Sequence, residues 1–171
     1  MSGILVAGVG NIFLGDDGFG VEVATRLAAH AEALPTTVKV RDFGIRGMHL
    51  AYELLDGYDG LILVDAVERG DKPGTVYVIE TDLDDLPASG SPAMDAHSMS
   101  PDTVFASLKA LGGTVEHIYV VGCEPESLSE RMGLSATVAA AVDGAVRLTR
   151  ELAIELHQRC ESRSIASGER Q

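Results

Sequence analysis

The chain is short of aromatic rings, cations and cysteine, and each shortage excludes something. Four Tyr, four Phe and no Trp among 171 residues leave the core to Val, Leu, Ile and Ala, which suits a parallel sheet covered by helices. Thirteen Lys and Arg stand against 26 Asp and Glu, a formal charge of -13. No basic stretch is present to neutralise a phosphate backbone, so nucleic acid is not an expected partner. Cys123 and Cys160 are the two cysteines; they form no CxxC pair and fit a reducing compartment, where such a residue behaves as a small hydrophobe. Long hydrophobic runs are also missing. The opening MSGILVAGVGN has no basic flank, and glycines break its apolar stretch, so neither a signal peptide nor a membrane span is expected and the expected location is the cytoplasm.

What is present reads as one domain, a usual size for this length. Ile4 to Val9 is a short apolar run that ends in a Gly-Asn turn, as a buried strand does, and Val21 to Leu34 carries apolar residues at helical spacing. Val38 to Val40 with Phe43 predicts a second strand, Met48 to Leu55 a helix, and Leu61 to Val67 a continuous apolar strand of a sheet's centre. The next strand, Val76 to Glu80, follows only the turn ERGDKPG. A parallel crossover needs about a dozen residues or more, so this fourth strand should run antiparallel. A Pro/Gly/Ser-rich loop leads to Ser100-Pro101-Asp102, an N-cap with proline at the first helical position, and a helix to about Leu111. His117 to Gly122 predicts the fifth strand, and Ser135 to about Leu156 a long final helix. The pattern gives an α/β domain over residues 1–157, a three-layer α/β/α sandwich around a five-stranded mixed sheet with strand four antiparallel. Residues 158–171, QRCESRSIASGERQ, are polar and aperiodic and read as a frayed, disordered tail.

Ligands in such folds bind outside the carboxyl ends of the strands, and the first loop there is GVGNIFLGDDGFG. It occupies the place of a dinucleotide fingerprint but does not match it. Phe13 stands where a third small residue belongs, and Asp16 and Asp17 would repel a pyrophosphate. Asp42, at the end of strand two, could still imitate a ribose-binding acid, which keeps a cofactor-binding oxidoreductase as a third reading. Without phosphate, the acids sit beside the positive end of the first helix. A helix-capping role explains one of them, while two adjacent like charges repel. Asp65 interrupts LILVDAV near the end of strand three, where an aspartate must be paired, hydrogen-bonded or facing a crevice. Of the five histidines, His97 lies in the Pro/Gly/Ser loop beside Asp95 and Ser98. That loop is long enough to cross the sheet, roughly 17–20 Å, and to bring His97 to the same crevice. Asp17, Asp65 and His97 would then offer two oxygens and one nitrogen, ligands suited to a borderline divalent metal with open positions. The sequence has no HExxH and no GxSxG, which argues against a zincin and a serine hydrolase.

In order along the chain, ILVAGVGNIFLGDDGFGVEVATRL, DFGIRG, LILVDAV, DAHSMSP and VVGCEPESLSERMGLS resemble the hydrogenase maturation protease family, from about Ile4 to Leu156. The resemblance implies a phosphorylase/hydrolase-like five-stranded mixed sheet and an endopeptidase activity, classed as aspartic-type. The substrate implied is the precursor of a nickel-iron hydrogenase large subunit, trimmed of its C-terminal extension after nickel insertion. The family's metal-contacting residues carry over onto Asp17, usually Glu there, and onto Asp65 and His97, with Asp42, Asn11 and Asp16 as expected substrate contacts. Nickel would arrive with the precursor rather than reside in the enzyme. The competing reading from another class is a nickel-dependent binding module or chaperone for the precursor that does not cut it.

Overall fold

Gly20 shows how closely the sequence lets its layers approach: a Cβ there would lie 2.0 Å from the carbonyl oxygen of Val64. Only glycine lets the first helix sit this low on the strands beneath it. The computed structural model describes residues 3–85 and 101–168. Strands β1 (Ile4–Val9), β2 (Val38–Gly44), β3 (Gly60–Ala66), β4 (Val76–Thr81) and β5 (His117–Cys123) form one sheet in the order β2-β1-β3-β5-β4. All neighbours are parallel except β4, which pairs antiparallel with β5 at the edge. The α/β fold with its antiparallel fourth strand is thus the one expected from the short turn before Val76.

Alternation along the strands divides the core in two. Ile4, Val6, Ile62, Val64, Tyr119 and Val121 face α1 (Phe19–Ala28) and the last helix, α5 (Val142–Gly168). Leu5, Ala7, Leu61, Leu63, Ile118 and Val120 face α2 (Gly47–Leu55) and α3 (Pro101–Ala110). No helix among the described residues is long and apolar enough to cross a membrane.

The chain end departs from the sequence expectation. A short helix, α4 (Ala136–Ala139), is capped by the Ser135 hydroxyl, which accepts a hydrogen bond from the Val138 amide. The following α5 does not stop near Leu156 but continues to Gly168. Residues 158–168 are therefore helix and not a frayed tail. Leu156 and Cys160, one helical turn apart, are both buried, but around and beyond them polar contacts replace an apolar stripe. Arg159 Nη1 donates to the Tyr119 hydroxyl at 2.9 Å, Arg163 pairs with Glu116, and His157 Nδ1 lies 3.0 Å from the Thr37 hydroxyl. Hydrophobic periodicity does not register such partners. Ending the chain at His157 is expected to lower the thermal midpoint measurably, by about 2–4 °C for each kcal/mol lost in a domain of this size. An unchanged midpoint in calorimetry would show that the Arg159 and Arg163 contacts add nothing.

Candidate active site

Strand order fixes where the site lies. The chain leaves β1 through α1 toward β2 on one side, whereas β3 leads toward β5 and β4 on the other. The loops after β1 and β3 therefore diverge and open a crevice at the carboxyl ends of these two strands. The loop after β1 brings Asn11, Asp16 and Asp17 to this edge, β3 brings Asp65, and β2 brings Asp42.

Asp17 and Asp65 come together here. Gly10, at φ 136°, permits the approach: a Cβ on it would lie 1.9 Å from the Asp17 carbonyl oxygen and 3.7 Å from Asp65 Oδ1. A side chain at position 10 would thus both strain the turn and fill the crevice floor. Asp17 is half-buried, and its Oδ2 accepts a 2.7 Å hydrogen bond from the Asn11 amide. Asn11 is held in turn, because its Oδ1 accepts from the Phe13 amide at 2.9 Å. Asp65 is only 3% exposed, and among the described residues its Oδ1 has no hydrogen-bond partner. Burial, and then the negative charge of Asp17, push its carboxyl well above the usual carboxylate range, opposed in part by the Ala66 amide. A buried, unpartnered carboxylate oxygen beside a second acid is costly for a structural residue and useful in a site.

Asp16 behaves differently from its neighbour. It is fully buried and accepts four hydrogen bonds: from the amides of Glu126 at 2.9 Å, Ser127 at 3.0 Å and Ser135 at 2.7 Å, and from the Ser135 hydroxyl at 2.9 Å. Burial opposes its ionisation, but these bonds together hold its carboxyl below the ordinary value. With its oxygens occupied inside the protein, Asp16 is not open to the crevice as a substrate contact. It fastens the loop after β5 onto the loop after β1. The adjacency of the two acids in sequence concealed this division of labour.

Asp42 lies exposed at the same edge. Its Oδ1 accepts from the Gly44 amide at 2.7 Å, and the Gly44 carbonyl accepts from the Gly10 amide at 2.9 Å, which places Asp42 just across the Gly10 turn. His97 lies outside the described residues. His117 opens β5 and His157 borders Thr37, both at the opposite edge of the sheet. Neither cysteine suits nucleophilic chemistry, since burial pushes the Cys123 thiol up to about 11 and raises that of Cys160.

Among the described residues no three ligating side chains are grouped to hold a metal ion. Within these described residues the two carboxylates, one of them with a buried oxygen that has no partner there, form an incomplete ligand set. They suit a cation held mainly by other ligands.

The chain is similar to known proteins over most of its length. A family model described as hydrogenase maturation protease matches residues 21–151. The hydrogenase expression/formation protein HupD of Rhodobacter capsulatus is 35% identical over 84% of this chain and 67% of its own length. The hydrogenase 2 maturation protease of Escherichia coli is 33% identical over 84% of this chain and 85% of its own. The solved structure of the hydrogenase maturating endopeptidase HybD from E. coli superimposes with a TM-score of 0.66 at 31% identity, covering 86% of this chain and 89% of that one.

Proposed function

Because the chain belongs to the hydrogenase maturation protease family, we propose that it is the endopeptidase that removes the C-terminal extension from a nickel-iron hydrogenase large-subunit precursor in the cytoplasm. The observation that carries the reading is the pairing of Asp17 with the buried Asp65, whose Oδ1 has no hydrogen-bond partner among the described residues, at the switch point of the sheet.

Nickel enters as the substrate's cargo. Asp17, Asp65 and His97 give the metal, already fixed in the precursor, partial extra coordination. Docking the metal there lays the scissile peptide against the crevice, with Asp42 at its rim. A carboxylate not occupied by the metal accepts a proton from water as the water oxygen bonds to the peptide carbonyl carbon. When the carbon–nitrogen bond breaks, that proton passes to the leaving amine. A second reading, in which the two carboxylates work without metal as an aspartic-type pair, draws support from the raised Asp65 beside Asp17. Two acids whose environments push their proton affinities apart can serve as acid and base.

The readings differ in what they require of the substrate. With a chelator too weak to extract bound nickel, the loaded precursor should be cut about a hundredfold faster than the nickel-free one. An added interaction of about 3 kcal/mol gives a preference of that size. Equal rates would favour the metal-independent pair. Binding without any change in precursor mass would make the protein a chaperone and not a peptidase.

A further inference from the structure

The loop that carries Asp17 also carries a group of large apolar side chains that the fold leaves outside. Phe13 is 60% exposed and Ile12 41%, while Met132 on the facing loop is 67% exposed. Their backbones are not free to fold the rings and chains inward. The Gly15 amide donates to the Arg131 carbonyl at 2.9 Å, the Arg131 amide to the Phe13 carbonyl at 3.0 Å, and the Asp16 amide to the Ser127 carbonyl at 3.0 Å. Beneath them the buried Asp16 carboxylate ties the two loops together. Behind this ribbon lies a half-open cavity of about 410 Å3, with Ile12, Met132, Leu134 and Ala139 among its walls. Rigid, exposed aromatic and Met side chains beside a cavity are what a preformed protein interface offers, since little ordering entropy is lost on contact.

We propose that this ribbon, with Phe13, Met132 and Ile12 as its grip, is the docking surface for an apolar patch of the protein substrate. The inference rests on the peptidase reading above. The occupant follows from continuity and charge. The Asn11 amide bonds Asp17, and Ile12 and Phe13 come next in the chain. The exposed ribbon is thus continuous with the loop that holds Asp17 beside Asp65, and a macromolecule that engages this acid pair has the ribbon next to it. Glu126 and Glu130 are exposed on the facing loop against a single Arg131, and the whole chain carries -13. A second copy of the chain or an anionic lipid surface would meet like charge, whereas a neutral or basic apolar patch would not.

The test is steady-state cleavage of nickel-loaded precursor by the wild-type protein, by Phe13→Ser/Met132→Ser, and by Met132→Ser alone should the double variant fold poorly. The thermal midpoint should hold, because the replaced side chains are largely exposed. KM should rise at least tenfold in the double variant and severalfold in the single one, with kcat within twofold. An unchanged KM, or a loss carried by kcat, would overturn the proposal while leaving the peptidase intact. A wild-type protein that does not cut would instead remove the reading on which the proposal rests. Analytical ultracentrifugation of a wild-type dimer that the substitutions dissociate would assign the surface to self-association. Flotation with anionic phosphatidylserine vesicles, lost in the variants, would assign it to membranes. Either result would overturn the proposal.

Discussion

Asp65→Asn is expected to abolish precursor cleavage and, at neutral pH, to raise thermal stability. The first effect follows from the site: Asp65 presents beside Asp17 a buried oxygen that has no partner among the described residues. Losing a positioned acid or base typically costs on the order of a hundredfold or more in rate. The second follows from linkage. The folded protein holds the Asp65 proton more tightly than the unfolded chain does, because burial and Asp17 disfavour the carboxylate. Stability from this group is therefore complete below the unfolded value, about 3.9, and is lost as pH rises through the raised folded value. An asparagine never ionises and escapes that loss. The variant's gain in thermal midpoint should be largest at neutral pH and should close as pH falls toward about 4. Asp17→Asn should also stop cleavage and stabilise the fold, since it removes the charge that Asp65 faces. Thermal scans across pH and cleavage assays on the same samples check both halves. Full activity in either variant would remove that residue from the site.

Asp16→Asn is expected to do the opposite to stability. The carboxylate accepts four hydrogen bonds, and an amide nitrogen placed among these donors finds no acceptor for its protons. Hydrogen bonds to a charged group are each worth about 1.5–3 kcal/mol, so a loss of roughly 3 kcal/mol is a modest expectation. In a domain of this size it lowers the midpoint by about 6–12 °C. The sign of the pH effect also reverses. Asp16 is held below its ordinary value, so its contribution is present above the unfolded value and is lost as pH falls through the folded one. The deficit of the variant should thus shrink in acid. Cleavage should fall as well, because the loop after β5 loses its fastening to the loop that carries Asp17. A midpoint within about 1 °C of the wild type at neutral pH would show that the loops hold together without Asp16.

The two acids show what the sequence could and could not disclose. The sheet was legible because strand alternation and the seven-residue turn before Val76 leave few topologies. The switch-point rule then located Asp65 and the loop after β1. The division of roles between Asp16 and Asp17 was not legible, because it depends on the amides of Glu126, Ser127 and Ser135, more than a hundred residues away in the chain. The continuation of α5 past Leu156 was missed for a similar reason. Arg159 and Arg163 are held by Tyr119 and Glu116, and a polar residue's partner leaves no periodic trace. The exposed ribbon at Ile12, Phe13 and Met132 was hidden differently, since apolar residues in a loop read as core until their exposure is known.

Proteolysis directed by the acid pair is tested most directly by the masses of the products. Nickel-loaded hydrogenase large-subunit precursor is incubated with the wild-type protein and, in parallel, with Asp17→Asn, and intact masses are recorded. The wild type should convert the precursor into a shortened large subunit and one released C-terminal peptide whose masses sum to that of the precursor plus one water, while Asp17→Asn leaves the precursor whole. An unchanged precursor mass with the wild-type protein, or equal conversion by the variant, would contradict it.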